Sequence, residues 1–455
     1  MKTAIIGAGI TGLSCAYRLK QSRQEFLVFE KRKRVGGVIH TEEKEGHLVE
    51  HGPNSLLLTD LDIKEYLENL GLSDEMIEAN PASSNRYILR EGELAPLPTS
   101  PLSFLTTKVF SLAGKIRLFR EFFISPLNGG EDHSLASFFK QRFGKEIYTY
   151  AVDPFIAGIY AGDPEKLSVR HAFPTLHQLE QTYGSVLRGF VKAGKAKKQN
   201  PHSIPRKLVS FRKGMGMLPN ALYEKVRPEN VRLKVSLNSI EPLPEGNWRI
   251  TWQEGEGEPQ EDIFQRLVLT NPAYILPDLP FPQPLLEQLT PLEEIHYPPI
   301  ACVAFGFRRD QIKHALDGFG MLIPSVEDKN LLGTIFSSTL FPDRAPSGQV
   351  MLQCFVGGAR NSIVRRLSRE DIVSLILPEL SKILGIQGAP SFTEVRKWKK
   401  SIPQLNLGHE RFLGILNDIE KQYPTLTFAG NYRNGVSVPN CIHAGWAAAQ
   451  SPHMA

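Results

Sequence analysis

The chain has 455 residues, 41% hydrophobic and 22% charged, with 37 Gly and 33 Pro. That profile suits a folded protein of about three domains and excludes collagen-like, coiled-coil and long disordered architectures. The net charge of +5, from 53 Lys and Arg against 48 Asp and Glu, is too small for nucleic-acid binding to be the first expectation. Cys15, Cys302, Cys354 and Cys441 are dispersed and form no CxxC pair; this argues against a disulfide scaffold or a metal site and fits a reducing compartment. Met1-Lys2-Thr3 runs straight into apolar sequence, so no targeting leader is expected. No charge-free apolar stretch reaches the roughly 18 residues that a transmembrane helix needs.

From the N-terminus, Thr3-Ala4-Ile5-Ile6 reads as a buried strand, followed by Gly7-Ala8-Gly9-Ile10-Thr11-Gly12 and a helical stretch from Leu13 to Lys20. Phe26 to Phe29 reads as a second strand ending on Glu30. This order is the βαβ dinucleotide signature. Gly7 permits the tight turn, Gly9 admits a pyrophosphate, and Gly12 lets helix and strand pack closely. Ile10 and Thr11 open the helix, whose free N–H groups and partial positive charge face phosphate. Glu30 is placed to accept hydrogen bonds from a ribose diol. A second glycine pair follows in Arg34-Val35-Gly36-Gly37, and then Gly52-Pro53-Asn54.

Residues 98–204 read as mostly helical. Leu105, Val109, Leu112, Ile116, Phe119 and Phe123 form a helical stripe expected to face a core, while Phe110, Leu118 and Phe122 lie off it among basic residues. Such a helix either is buried on two sides or rests on an anionic membrane surface. From Arg188 to Lys213 there are nine Lys or Arg and no acid, a run that suits a solvated face, a polycarboxylate substrate or anionic lipid. Without interleaved aromatics it does not suit nucleic acid. Further on, Val231 to Leu237 alternates like one strand and Trp248 to Trp252 like another, before Leu267-Val268-Leu269. The last fifty residues carry the strand pattern Leu426 to Ala429, the turn Gly430-Asn431-Tyr432, then Gly435-Val436-Ser437-Val438 and a small-residue helix to Ala449.

The second glycine pair and the C-terminal strand, glycine loop and helix resemble the flavin-containing amine oxidase superfamily. That resemblance implies FAD, with Gly7, Gly9, Ile10, Thr11, Gly12, Glu30, Lys31, Arg34, Gly36, Gly37, Gly52, Pro53 and Asn54 at one end of the cofactor. It places Leu237 at the adenine, and Gly430, Asn431, Val436, Ser437 and Val438 at the other end. The superfamily usually carries Arg after the glycine pair and Asp after the C-terminal glycine, where this chain has Val38 and Asn431.

More narrowly, Asn85 to Leu89, Asp153 to Pro164, Ser210 to Met215, Tyr297-Pro298-Pro299, Leu332-Gly333-Thr334 and Ser337 to Pro342 together resemble the protoporphyrinogen oxidase family. The resemblance implies a discontinuous α/β Rossmann-type FAD-binding domain (1–80, 205–275 and 410–455). With it come a mixed-sheet substrate-binding domain (81–97 and 276–409) and an inserted helical, membrane-associating domain (98–204). Arg86 matches the propionate-binding arginine, Gly158 a backbone carbonyl beside the macrocycle, and Leu322 and Phe341 the residues that sandwich its ring. The implied reaction is hydride transfer from a bridging methylene to the flavin with loss of a pyrrole proton, three times over, oxygen re-oxidising the cofactor to give hydrogen peroxide. No side-chain constellation demands an acid or base. The substrate is expected to be protoporphyrinogen IX in haem biosynthesis, with coproporphyrinogen III, another superfamily activity such as amine oxidation, or a flavoprotein without turnover as alternatives. The setting is expected to be cytoplasmic and peripheral on the membrane; a homodimer and transient handover to neighbouring pathway enzymes stay open.

Overall fold

The computed structural model describes residues 1–127, 130–199 and 203–450. Its centre is a five-stranded, wholly parallel sheet ordered Val231–Leu233, Glu25–Glu30, Lys2–Ile6, Arg266–Leu269 and Leu426–Phe428. Ala4, Ile5, Val28, Leu267, Val268 and Leu269 are fully buried, as a parallel sheet covered on both faces requires. The helices Ile10–Gln21 and Val438–Ala449 cover one face, where Ile5, Val28 and Val268 join Leu13 and Ile442 in one core. On the other, Ala4, Ile6 and Phe29 meet Trp248, Trp252 and Phe264 from the antiparallel sheet Val235–Pro242, Trp248–Glu254 and Gln260–Phe264.

The alternating run 231–237 is not one strand. Val231–Leu233 belongs to the parallel sheet and Val235–Pro242 to the antiparallel one. The chain turns between them at Lys234, which takes a φ of +57°, donates its N–H to Arg32 O at 3.1 Å and accepts from Gly255 N–H at 3.1 Å. Two tertiary hydrogen bonds hold a lysine where glycine would be the usual marker, so the alternation hid the break.

A seven-stranded sheet forms the second body, ordered Phe392–Trp398, Ile300–Arg308, Gln349–Gly357, Leu331–Phe336, Gly318–Leu322, Asn85–Arg90 and Glu93–Pro96. Helix Arg369–Leu384 covers one face through Ile372, Ile376, Leu380 and Leu384. Only Arg308 of the strand Ile300–Arg308 is exposed, so protein covers the other face too.

Helices between 101 and 199 pack around a fully buried ion cluster. Arg142 pairs with Glu121 at 2.6 Å and Glu180 at 2.8 Å, all three side chains wholly inaccessible; Ser185 Oγ and the Val186 N–H also donate to Glu121. The expected stripe is broken and turned outward. Pro101–Thr106 and Leu112–Arg120 are separate helices, and of the six stripe residues only Val109 is buried, while Phe123 is 86% exposed. The off-stripe side faces the core instead: Gly114 packs against the Glu146 carboxylate, which accepts from Ser111 N–H and Oγ, and Leu118 joins the core with Phe110. Periodicity finds a face but not its direction; the Glu146 anchor supplies that. Among the described residues no helix is long and apolar enough to cross a membrane. The basic run lies on the helix Val186–Gln199, the strand Ser203–Phe211 and the turn after it at Arg212 and Lys213; its residues 200–202 lie outside the described ones.

Candidate flavin site

The first glycine turn leaves the central strand at Gly7, whose φ of +108° suits glycine alone. A side chain at Gly12 would overlap the Gly7 carbonyl, whereas one at Gly9 would meet no protein atom within 4 Å. Gly12 is thus occupied by the fold, and Gly9 opens onto free space. The second turn lies beside the first: Gly36 N–H donates to Ala8 O at 2.8 Å, and Gly9 and Gly36 pair as a short parallel bridge. Glu30 closes the strand end, accepting from Ala8 N–H and Arg32 N–H, each at 2.9 Å; Lys31 beside it is exposed. Arg34 braces its own loop, donating to Gly37 O at 2.8 Å and Val35 O at 3.0 Å. Gly52 stacks on the Val38 carbonyl, leading into Pro53 and Asn54. Leu237 sits partly buried at a bulge, paired across its sheet with Trp252.

The C-terminal strand delivers Gly430 and Asn431 next to this turn, with Ala429 N–H bonded to Leu269 O at 2.9 Å. Val436 and Ser437 follow, and Ser437 Oγ accepts from Asn440 N–H, capping the helix that starts at Val438. Its contacts with the helix Ile10–Gln21 advance in step. Gly445 packs on Ser14 and Cys15, and the Arg18 guanidinium lies 5.0 Å from the Trp446 ring. The two helices therefore run parallel, with both N-termini at the same end. Two sets of free N–H groups and two partial positive charges converge there, an arrangement suited to an anionic dinucleotide. The open face of Gly9 is where a pyrophosphate fits.

The seven-stranded sheet presents its other face to this cradle. Pairing places Ile88, Leu322, Gly333, Phe355, Cys302 and Arg396 in one row across six strands. Adjacent to it, Arg86, Gly320, Ile335, Gln353, Ala304 and Glu394 form the next row on the same face. Gly158 meets the Leu322 side chain directly, so two of the four expected substrate residues touch, two residues along from the strand position opposite Arg86. Arg86 is exposed and lies 5.5 Å from the Phe319 ring, with no ion pair among the described residues. Phe341 is elsewhere: it is buried below Arg344, whose guanidinium lies 5.3 Å from its ring. It lines a small cavity with Glu50, Asn54, Ile335 and Ser337, at the seam between cradle and sheet.

At that seam Glu50 accepts from Thr41 Oγ1 at 2.6 Å and Met215 N–H at 2.7 Å. Burial nevertheless pushes its carboxyl up to about 7, against the pull of those donors and of Arg344. The stretch 396–409 carries side chains that the sequence reading did not single out. Trp398 Nε1 donates to His51 O at 2.8 Å, Gln404 Nε2 to Tyr160 O at 2.9 Å, and His409 Nε2 lies 2.8 Å from Tyr432 O. No local motif marks them; their signal is polar side chains that tertiary packing buries. Burial pushes the Cys302 thiol up to about 12, so it stays a neutral part of the sheet face.

Parallel nucleotide sheet, paired glycine turns, converging helix ends and a facing mixed sheet define a flavin-dependent oxidoreductase. The chain matches the flavin containing amine oxidoreductase model over residues 10–451 and belongs to that family; its cofactor is FAD. Within the family its relatives include porphyrinogen oxidases. It is 32% identical to the mitochondrial protoporphyrinogen oxidase of Nicotiana tabacum, over 98% of this chain and 94% of that one. It is 29% identical to the coproporphyrinogen III oxidase of Bacillus subtilis (strain 168), over 98% and 96%. The same fold occurs in cyclohexylamine oxidase from Brevibacterium oxydans IH-35A, at a TM-score of 0.68, 16% identity and coverage of 98% and 97%.

Proposed function

We propose that this protein is an oxygen-dependent porphyrinogen oxidase of haem biosynthesis, acting on protoporphyrinogen IX and releasing hydrogen peroxide. The observation that carries the reading is the row of Leu322, Gly333, Phe355 and Cys302, an apolar floor with Arg86, which has no ion pair among the described residues, at the end of the adjoining row. A nonpolar macrocycle with carboxylate arms suits such a surface, because a free guanidinium grips a carboxylate bidentately. Gly158 and Leu322 wall the ring at the same end, and Phe341 shares a small cavity with Ile335 of the adjoining row. Bound FAD supplies the two-electron oxidation. Gly9 and the paired helix ends hold its phosphates, Glu30 its ribose, Leu237 its adenine, and Asn431 with Val436 to Val438 the flavin end. The three-part division into nucleotide, substrate and helical segments follows this assignment of roles.

The outward apolar face of Leu102, Leu105, Leu112, Ile116, Phe119 and Phe123 supports seating on a membrane surface. Arg117 and Arg120 border a groove that includes Phe123, so anionic lipid is the complementary partner. Sedimentation with anionic vesicles should carry the protein down, and Phe123→Asp should weaken that binding.

The deciding experiment follows porphyrin fluorescence and peroxide when aerobic, FAD-loaded protein meets proto- and coproporphyrinogen in parallel. Faster turnover of the first is expected. If neither is oxidised, the reading is lost.

A further inference from the structure

The row that ends near Arg86 on one side ends on Arg396 at the other. Five inter-strand steps separate those edges, about 24 Å at the usual strand spacing, too far for both arginines to serve one macrocycle. Arg396 lies at the cofactor end. Its guanidinium stacks 4.8 Å from the Trp398 ring, and Trp398 is pinned to the His51 carbonyl. His51 in turn donates its N–H to His40 O at 2.9 Å and stacks on the His40 ring at 5.1 Å. His40 closes the loop that begins at Arg34 and contains Gly36 and Gly37, so Arg396 stands beside the second glycine turn.

Arg396 has a positive charge and no counter-charge among the described residues. Its Nε is buried without a hydrogen-bond partner, and no carboxylate pairs with it among the described residues. The acids nearby are otherwise engaged: Glu30 by two backbone N–H groups, Glu42 by His51, and Glu394 by Lys44. Arg34 adds a second positive charge whose donors are taken up by loop carbonyls. A partly buried guanidinium held by stacking, its Nε unpartnered and the nearby carboxylates committed to other groups, is arranged for an anion that arrives from outside the protein.

We infer that Arg396 is a cofactor-binding cation, reaching from the sheet edge to the anionic part of FAD beside the Gly36–His40 loop. The inference rests on the flavin reading and deepens it. It also accounts for Val38, which leaves the loop itself without a cation after its glycine pair: the charge comes from the opposite body.

The test measures FAD binding to cofactor-stripped protein by flavin fluorescence, and the midpoint potential of the reloaded protein, without any porphyrinogen. Arg396→Gln should weaken FAD binding about tenfold, the loss expected for one charge-assisted hydrogen bond, if the pyrophosphate is the target. If the reduced ring is the target, the potential should fall instead, by about 30 mV for a tenfold effect on a two-electron couple. Unchanged affinity together with unchanged potential overturns the inference. Val38→Arg, at an exposed position, is the second arm. With Arg396 in place it should not tighten binding, and a tenfold gain would overturn the inference by showing that the site lacks a cation. Parent protein that takes up no FAD at all would overturn the flavin reading itself.

Discussion

The nucleotide cradle and the facing sheet are built by opposite means. The cradle is backbone: glycine turns, N–H groups and two helix ends, with no protein atom against the open face of Gly9. The sheet face is side chain: an apolar row from Ile88 to Arg396 with Arg86 at the end of the adjoining row, assembled from strands up to some 300 residues apart in sequence. The cradle therefore tolerates almost no added atom, while the sheet face should lose its function by degrees. Backbone sites act through shape, which one methyl group can abolish, whereas side-chain sites sum several modest contacts.

The largest expected effect separates two glycines within the cradle. Gly12→Val should prevent folding, because its side chain would overlap the Gly7 carbonyl; Gly9→Val should fold and yet bind no FAD, since its side chain meets only open space. Circular dichroism and the flavin absorbance of the purified proteins distinguish the two. A Gly9→Val protein that stays yellow would break the contrast.

At the seam, Glu50 should make stability depend on pH. Its folded pKa of about 7 lies above its ordinary 4.5, so its contribution is fully present below about 4.5 and is lost as pH rises through 7. The difference is on the order of 3 kcal/mol. Glu50→Gln should flatten that part of the stability profile, gaining on the parent above pH 7 in denaturant titrations at fixed FAD. Parallel profiles for the two proteins would place the proton elsewhere.

The smallest effect belongs to the sheet face. Arg86→Ala should raise the KM for porphyrinogen about tenfold, as expected for one charge-assisted contact, while flavin content stays at the parent level. Loss of the cofactor in that variant would mean that the sheet face and the cradle are not separable.

The cradle was largely legible in the sequence because a glycine's role is local: Gly7, Gly9 and Gly12 are read from their spacing, and the strand, helix and acid around them lie within thirty residues. The helical segment was legible as helix but not in its orientation, since an apolar stripe looks the same whether it faces a core or solvent. Glu146, distant in sequence, decides that for Leu112–Arg120. Phe341 shows the same limit, because resemblance suggested its role while only packing revealed that Arg344 covers its ring.

What the sequence by itself determined was the nucleotide frame, because backbone geometry and helix ends follow from short-range residue order; the choice of FAD came from the resemblance of its glycine loops to a known family. Only the tertiary structure decided how Lys234 divides one alternating run between two sheets, which way the exposed helix turns, and that Arg396 stands across from the second glycine turn. Those outcomes depend on strand pairing and burial between remote segments, and the free energies that set them are not contained in any single stretch of chain.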